Sequence, residues 1–255
     1  MAVVAITRAV SRALARCELT HLERRGIDVD LARVQHAAYE HALRAAGCDV
    51  RQLQEQPELA DSVFVEDTAI VLDKLAVLTR PGAESRRGEI ESMAAALAPW
   101  REVRRIEAPA MLDGGDVLRL ERVLYVGASA RSNAAGMAQL AQLVAPFNYR
   151  VQAVPLHGCL HLKSAVTQVA TQVLLCNPAW VDTRHFPGYR LLAVDPAEPF
   201  AANAVWVGDR LLYSASFPRT ADRLRQAGIE VHALDMSETE KAEGGVTCCS
   251  VIFVP

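Results

Sequence analysis

One rhythm constrains this fold more than any other feature: apolar runs arrive in pairs, followed by an amphipathic helical stretch and a further run. The runs read as strands at 3–7, 50–53, 64–71, 75–79, 103–106, 116–120, 123–126 and 149–154. The pattern continues at 160–164, 173–176, 191–194, 204–207, 211–214, 229–234 and 250–254. Helical spacing marks 30–46, 84–97, 131–145 and 220–227. In the first of these, Leu31, Val34, Ala38, Ala42 and Ala45 form the apolar stripe, Asp30 is the expected cap and Gly47 the stop. Ser129 or Ser132 is the expected cap of 131–145. The units are about fifty residues long. That period fits either a closed ring of units or an open α/β sheet, and the internal similarity is too weak to count as a repeat. No Pro/Gly/Ser-rich linker interrupts it, so residues 1–255 read as a single domain.

With 255 residues, 51% hydrophobic and 22% charged, the chain can bury a substantial core. A formal net charge of -3 and dispersed Lys and Arg give no phosphate-tracking groove, so no nucleic-acid partner is expected. No apolar run approaches the roughly 20 residues of a membrane helix, and 1–8 is too short for a signal h-region and follows no basic segment. The expectation is a cytoplasmic protein with no membrane partner. Cys17, Cys48, Cys159, Cys176, Cys248 and Cys249 include no C-x-x-C pair, so free thiols in a reducing compartment are expected.

Three segments carry candidate chemistry. Cys248 lies between a Gly-Gly turn and an apolar run. An isolated cysteine more commonly packs as a small hydrophobe, but the glycines permit close approach of a ligand. Read as a strand, Cys249 faces the opposite side. Alternation in 160–164 places His161 and Lys163 on one face and the leucines on the other. A lone strand histidine is usually structural, and the turn at 113–116 is by itself an ordinary tight loop. Glu66 and Asp67 are adjacent, so at least one should face inward, where it needs a cationic partner. That partner can be an arginine of the protein or a guanidinium ligand.

The ordered motifs are 61–67 (Asp-Ser-Val-Phe-Val-Glu-Asp), 79–87 (Thr-Arg-Pro-Gly-Ala-Glu-Ser-Arg-Arg) and 112–116 (Leu-Asp-Gly-Gly-Asp). They continue with 127–133 (Gly-Ala-Ser-Ala-Arg-Ser-Asn), 160–163 (Leu-His-Leu-Lys) and 244–249 (Gly-Gly-Val-Thr-Cys-Cys). In this order, over nearly the whole chain, they resemble the dimethylarginine dimethylaminohydrolases of the guanidino-group-modifying superfamily. The resemblance implies a five-bladed α/β propeller, or pentein, of ββαβ-type units around a central active-site channel. It implies Cys248 as nucleophile, His161 as general acid and base, and Asp113 with Asp67 as guanidinium-binding carboxylates. Asp61 and Glu66 match further polar residues of the pocket, Arg86 and Arg131 match the arginines that hold the substrate α-carboxylate, and Leu19 falls in the mobile lid.

The implied reaction hydrolyses an Nω-methylated arginine to citrulline and a methylamine, with no metal and no organic cofactor. A small guanidino substrate is the implied partner, and a homodimer is compatible with the reading. Two departures from relatives stand out: Asp113 where some carry Glu, and Lys163 where arginine deiminases and amidinotransferases carry Asp. Losing that carboxylate leaves room for N-methyl groups. The alternatives are an arginine deiminase or another guanidino hydrolase, or a non-catalytic ligand-binding member of the fold.

Overall fold

The structure, a computed structural model, describes residues 2–255. Strand β1 (Val3–Arg8), helix α1 (Val29–Ala45) and β2 (Cys48–Leu53) open the chain. Next come β3 (Ala69–Val71), β4 (Leu75–Leu78), α2 (Ile90–Leu97) and β5 (Glu102–Arg105). Then follow β6 (Val117–Leu120), β7 (Val123–Ala128), α3 (Ala134–Val144) and β8 (Arg150–Pro155). A one-turn helix α4 (Leu162–Ala165) leads into β9 (Val166–Ala170), β10 (Val173–Cys176) and β11 (Arg190–Ala193). The last stretch holds β12 (Ala204–Val207), β13 (Arg210–Ser214), α5 (Pro218–Gln226), β14 (Val231–Leu234), α6 (Ser237–Glu240) and β15 (Val251–Phe253).

These strands make five three-stranded sheets. In each, the first strand pairs antiparallel with the second and the second parallel with the third, the crossover running through a helix or a helical turn (β3-β4-β5, β6-β7-β8, β9-β10-β11, β12-β13-β14). The remaining sheet is split in sequence: β15 supplies the first strand of the blade that β1 and β2 complete. Five apolar clusters then join neighbouring blades in turn. Ile6 and Phe253 meet Leu78, Val77 meets Val126, Tyr125 meets Leu174, Leu175 meets Tyr213, and Leu212 meets Leu43 and Leu14. Every blade buries both faces against another blade, so the ring closes. An open sheet would leave one such cluster exposed.

Closure explains where the local expectations fail. Residues 65–68 form a helical turn rather than the start of β3, and 160–161 are not strand. The one-turn α4 occupies 162–165, and β9 begins after it. Cys248 lies in the turn 246–249 before β15, not in a strand. The chain dips toward the channel at these places before entering each blade. Helix α1 is capped by Asp28, which accepts N–H groups of Asp30 and Leu31, and not by Asp30. Its buried face is Ala32, Gln35, His36, Tyr39, Glu40, Ala42 and Leu43, while Leu31 and Val34 are exposed at 40% and 66%. Of its polar members, Glu40 accepts from Thr7 and Gln52, and Gln35 donates to Ser237 Oγ and accepts the Glu238 N–H. Helix α3 is capped by Asn133, and the two serines expected there serve the site instead.

Candidate active site

Several polar side chains of the site sit on the segments that enter the first strands of the blades. Asp67 precedes β3, Asp113 and Asp116 precede β6, His161 precedes β9, Asn203 precedes β12 and Cys248 precedes β15. Because these first strands adjoin one another (β15 with β3, β12 with β9), the five entry segments converge. A narrow cavity of about 20 Å³ results, lined by Cys248, His161, Asp67, Asp61, Arg86 and Arg131 together with Glu18 and Glu243.

His161 is 4% exposed, and its Nε2 lies 3.0 Å from Asp113 Oδ2. Its Nδ1 stands 3.8 Å from Asp67 Oδ1. Burial opposes its charge, but Asp67, the Asp113 hydrogen bond and Asp116 overcome it and hold the imidazolium pKa up to about 9. Asp113 is fully buried behind the ring. It does not line the cavity: Oδ1 accepts the Gly82 N–H and Oδ2 faces His161. The carboxylate that the resemblance assigns to a guanidinium thus faces the imidazole in this structure.

The serines 129 and 132 both donate to Asp116 Oδ2, at 2.5 and 2.6 Å, and the Leu162 N–H donates to Oδ1. Burial still raises Asp116 to about 6. Asp116 fixes the turn that carries His161, a role the sequence reading missed. Its signal was present as two polar motifs, 112–116 and 127–133, whose partnership only the fold reveals.

Asp67 and Arg86 are both buried and form a 2.5 Å ion pair. Burial raises the Asp67 pKa, but the charges of His161 and Arg86 prevail and lower it to about 2. Arg86 lines the cavity, yet nearly all its N–H groups are taken by Asp67, Glu89 and the carbonyls of Phe64 and Asp61. Its structural position differs from a free carboxylate-gripping arginine: it braces Asp67. Arg131 remains half-buried at the rim, its Nη2 donating to Thr20 Oγ1. Asp61 is buried and accepts the Glu18 N–H, and burial raises its pKa. Leu19 is half-buried against the core and does not line the cavity, although its neighbour Glu18 does.

Glu66 turns away from this cavity. Lys163 Nζ lies 2.6 Å from its Oε1, and Thr247 donates to Oε2 at 2.7 Å. That pair faces a separate cavity of about 360 Å³ that shares no lining residue with the one at Cys248. The expected alternation of His161 with Lys163 does not hold, because 162–165 is helical and aims the two side chains at different cavities. Lys163 thus makes no room beside a substrate directly.

The thiol of Cys248 is half-buried, while Cys249 is fully buried in the apolar core. The Glu66 N–H donates to the Cys248 carbonyl and the Gly245 N–H to its Sγ at 3.4 Å. Burial, then the charges of Glu66 and Asp67, raise its pKa well above that of a free thiol. The geometry permits no bulk at two glycines. A Cβ on Gly244 would stand 2.1 Å from the Phe64 ring, and one on Gly115 would stand 2.6 Å from Asp67 Oδ1 and 2.7 Å from His161 Nδ1. Gly115→Ala is therefore expected to lower turnover by about 10²-fold, the scale of a 1 Å misplacement of reacting groups. The melting temperature should fall far less than for a core cavity, and steady-state kinetics beside a thermal melt checks both.

Asp67, Asp113 and His161 bring one ligand-type atom each within 4.8 Å.

A closed five-bladed α/β ring with thiol, imidazolium and carboxylates converging on its channel defines a guanidino-group-modifying enzyme of the pentein class. A family model described as "N,N dimethylarginine dimethylhydrolase, eukaryotic" matches residues 20–182. The N(G),N(G)-dimethylarginine dimethylaminohydrolase of Streptomyces coelicolor is 42% identical, over 97% of this chain and 95% of that protein. Its Pseudomonas aeruginosa counterpart is 35% identical over 89% and 90%. The chain belongs to the dimethylarginine dimethylaminohydrolase family.

Among solved structures, a mutant of the Pseudomonas aeruginosa enzyme with serine in place of a cysteine, complexed with citrulline, superposes with a TM-score of 0.94. It is 34% identical, over 99% of this chain and all of that one. The N-terminal domain of a cyanobacterial arginine dihydrolase shares the fold at a TM-score of 0.88 and 19% identity, covering 98% of this chain and 97% of that one.

Proposed function

We propose that this chain, acting as one catalytic unit, hydrolyses an Nω-methylated arginine to citrulline and methylamine or dimethylamine. The observation that carries this reading is the single narrow cavity lined by Cys248, His161 and Asp67. The family membership supplies the substrate class.

In this mechanism Asp67, braced by Arg86, receives one edge of the guanidinium, and Arg131 with Asp61 meets the α-carboxylate and α-ammonium end. Glu66 acts from the far side of the turn, holding Lys163 and the backbone of Cys248. The resting thiol is neutral. The arriving cation offsets the nearby carboxylates and favours loss of the thiol proton to solvent. The thiolate pair forms an S–C bond while the C=N electrons move to nitrogen. The C–N bond to the methylated nitrogen then breaks, and His161 supplies the proton that the amine leaves with. The resulting S-alkylthiouronium is attacked by water, His161 takes the water's proton, and the C–S bond breaks to give citrulline and the free thiolate. Asp113 keeps His161 oriented through both halves.

Two further readings stand with this one. The six cysteines are all free, as a reducing cytoplasm would keep them, and no described helix is long and apolar enough to cross a membrane. The exposed Leu31 and Val34 make α1 the face through which we infer a homodimer.

The deciding experiment is a citrulline-release assay with arginine, monomethylarginine and asymmetric dimethylarginine. The reading expects kcat/KM for the methylated substrates to exceed that for arginine by about 10²-fold or more, the scale on which a pocket separates close analogues. Preference for arginine would assign a deiminase instead.

A further inference from the structure

The cavity at Cys248, about 20 Å³, has room for about one water. A substrate of arginine size enters only if a wall moves. Most of the wall belongs to turns locked between blades. The exception is 18–22, a segment without regular structure whose residues 18, 20 and 21 are exposed.

Four groups tie that segment down. Asp61 accepts the Glu18 N–H at 3.1 Å, Ser85 donates to the Glu18 carboxylate at 2.7 Å, and Arg131 donates to Thr20 Oγ1 at 3.0 Å. The fourth is Glu243. Its carboxylate accepts three consecutive backbone N–H groups: Thr20 at 3.0 Å to both oxygens, His21 at 2.5 Å and Leu22 at 2.6 Å. Successive amides aimed at one carboxylate make an anion nest, and such charge-assisted bonds are the strong ones.

We propose that Glu243 is a positioning residue that latches the 18–22 segment over the thiol and thereby sets substrate affinity. Asp61 and Arg131 cannot serve as the latch, because in the mechanism above the substrate itself takes them. Glu243 makes no contact the reaction needs, and only it grips the segment by its backbone at three points. It also holds a left-handed conformation, φ 60°, that a non-glycine residue adopts at a cost, although two glycines follow it directly. Its side chain also separates two spaces. Glu243, Gly244 and Leu160 line both the catalytic cavity and a neighbouring cavity of about 230 Å³, into which His21 and Leu22 project. Releasing the carboxylate frees the wall between them.

The test uses Glu243→Gly, which removes the carboxylate and relieves the backbone. A merely structural role for Glu243 predicts an equal or higher melting temperature with unchanged kinetics. The latch predicts about tenfold faster trypsin cleavage after the exposed Arg24 or Arg25 in the ligand-free protein, as expected when a local opening becomes easier. It also predicts KM lowered by up to about tenfold with kcat changed less than about twofold, because the latched wall leaves no room for a substrate and easier opening removes that cost. Glu243→Gln should fall between the two, keeping an acceptor without its charge, and serves if the glycine variant folds poorly. Unchanged cleavage, or faster cleavage with an unchanged KM, overturns the proposal. The kinetic arm rests on the methylarginine reading, but the proteolysis arm does not, so failure of one is distinguishable from failure of the other.

Discussion

Cys248→Ala is expected to lower citrulline formation by on the order of 10⁴-fold or more, the loss that follows removal of a covalent nucleophile. The protein should stay folded, because Cys248 is half-buried in a turn and the group its sulfur accepts from, the Gly245 N–H, is a weak partner at 3.4 Å. The neighbouring thiol cannot take over. Cys249 is fully buried in the core and does not line the cavity, and its pKa is pushed up to about 12 by burial and then by Glu66. The native thiol has an uncommon electrostatic position as well. Burial, Glu66 and Asp67 all favour its neutral form, so iodoacetamide should alkylate the free enzyme slowly at neutral pH. Asp67→Asn removes one of the opposing charges and should speed that alkylation while lowering catalysis, since the same carboxylate is proposed to hold the substrate cation. Mass spectrometry of a denatured turnover mixture completes the test: a covalent adduct on residue 248 in the native chain, none in the alanine variant. Residual activity above about 1% in Cys248→Ala would place the nucleophile elsewhere.

The blade rhythm was legible because each unit must bury both sheet faces, and that demand writes apolar runs at regular intervals. What no run of residues records is that β15 completes the blade of β1 and β2, since the pairing joins the two ends of the chain. The site was legible in part for a related reason. The motif residues Asp67, Asp113, His161 and Cys248 all occupy the same structural position, the entry to a first strand, and polar residues there interrupt an apolar pattern. Their surroundings were misread wherever strand alternation was extended into those entries. Lys163 was aligned with His161 on that basis, but the helical turn at 162–165 sends it to Glu66. The assignment of Cys248 rather than Cys249 to the cavity survives for a different reason, the turn at 246–249. At least one of Glu66 and Asp67 is expected to face inward and need a cation; both are buried and both have protein ones, Lys163 and Arg86. The sequence could not choose between those and a ligand, because Lys163 comes from another blade and Arg86 from the far side of the Asp67 blade's own hairpin.

Asp113→Asn should cost up to about 10⁴-fold in kcat/KM at pH 7.5, as losing the orienting carboxylate behind a catalytic histidine does, and should also move the alkaline limb of the pH profile. His161 has its pKa raised to about 9 despite burial, through Asp67, Asp113 and Asp116. A raised value means the imidazolium is complete below the ordinary histidine range and is lost as pH rises through about 9, so kcat/KM in the native enzyme should fall above that pH. The same shift makes His161 a source of folding stability that is full below the unfolded pKa and fades as pH climbs toward about 9. Removing the Asp113 charge lowers the His161 pKa, so the falling limb should move to lower pH. A simple loss of packing would reduce the rate equally at every pH. Asp113 touches no cavity atom and acts through the ring at 3.0 Å. The double variant Asp113→Asn/His161→Asn should therefore be no slower than His161→Asn alone, because groups that work as a unit are not additive. Additive losses would instead return Asp113 to direct contact with the guanidinium, the role its motif implied.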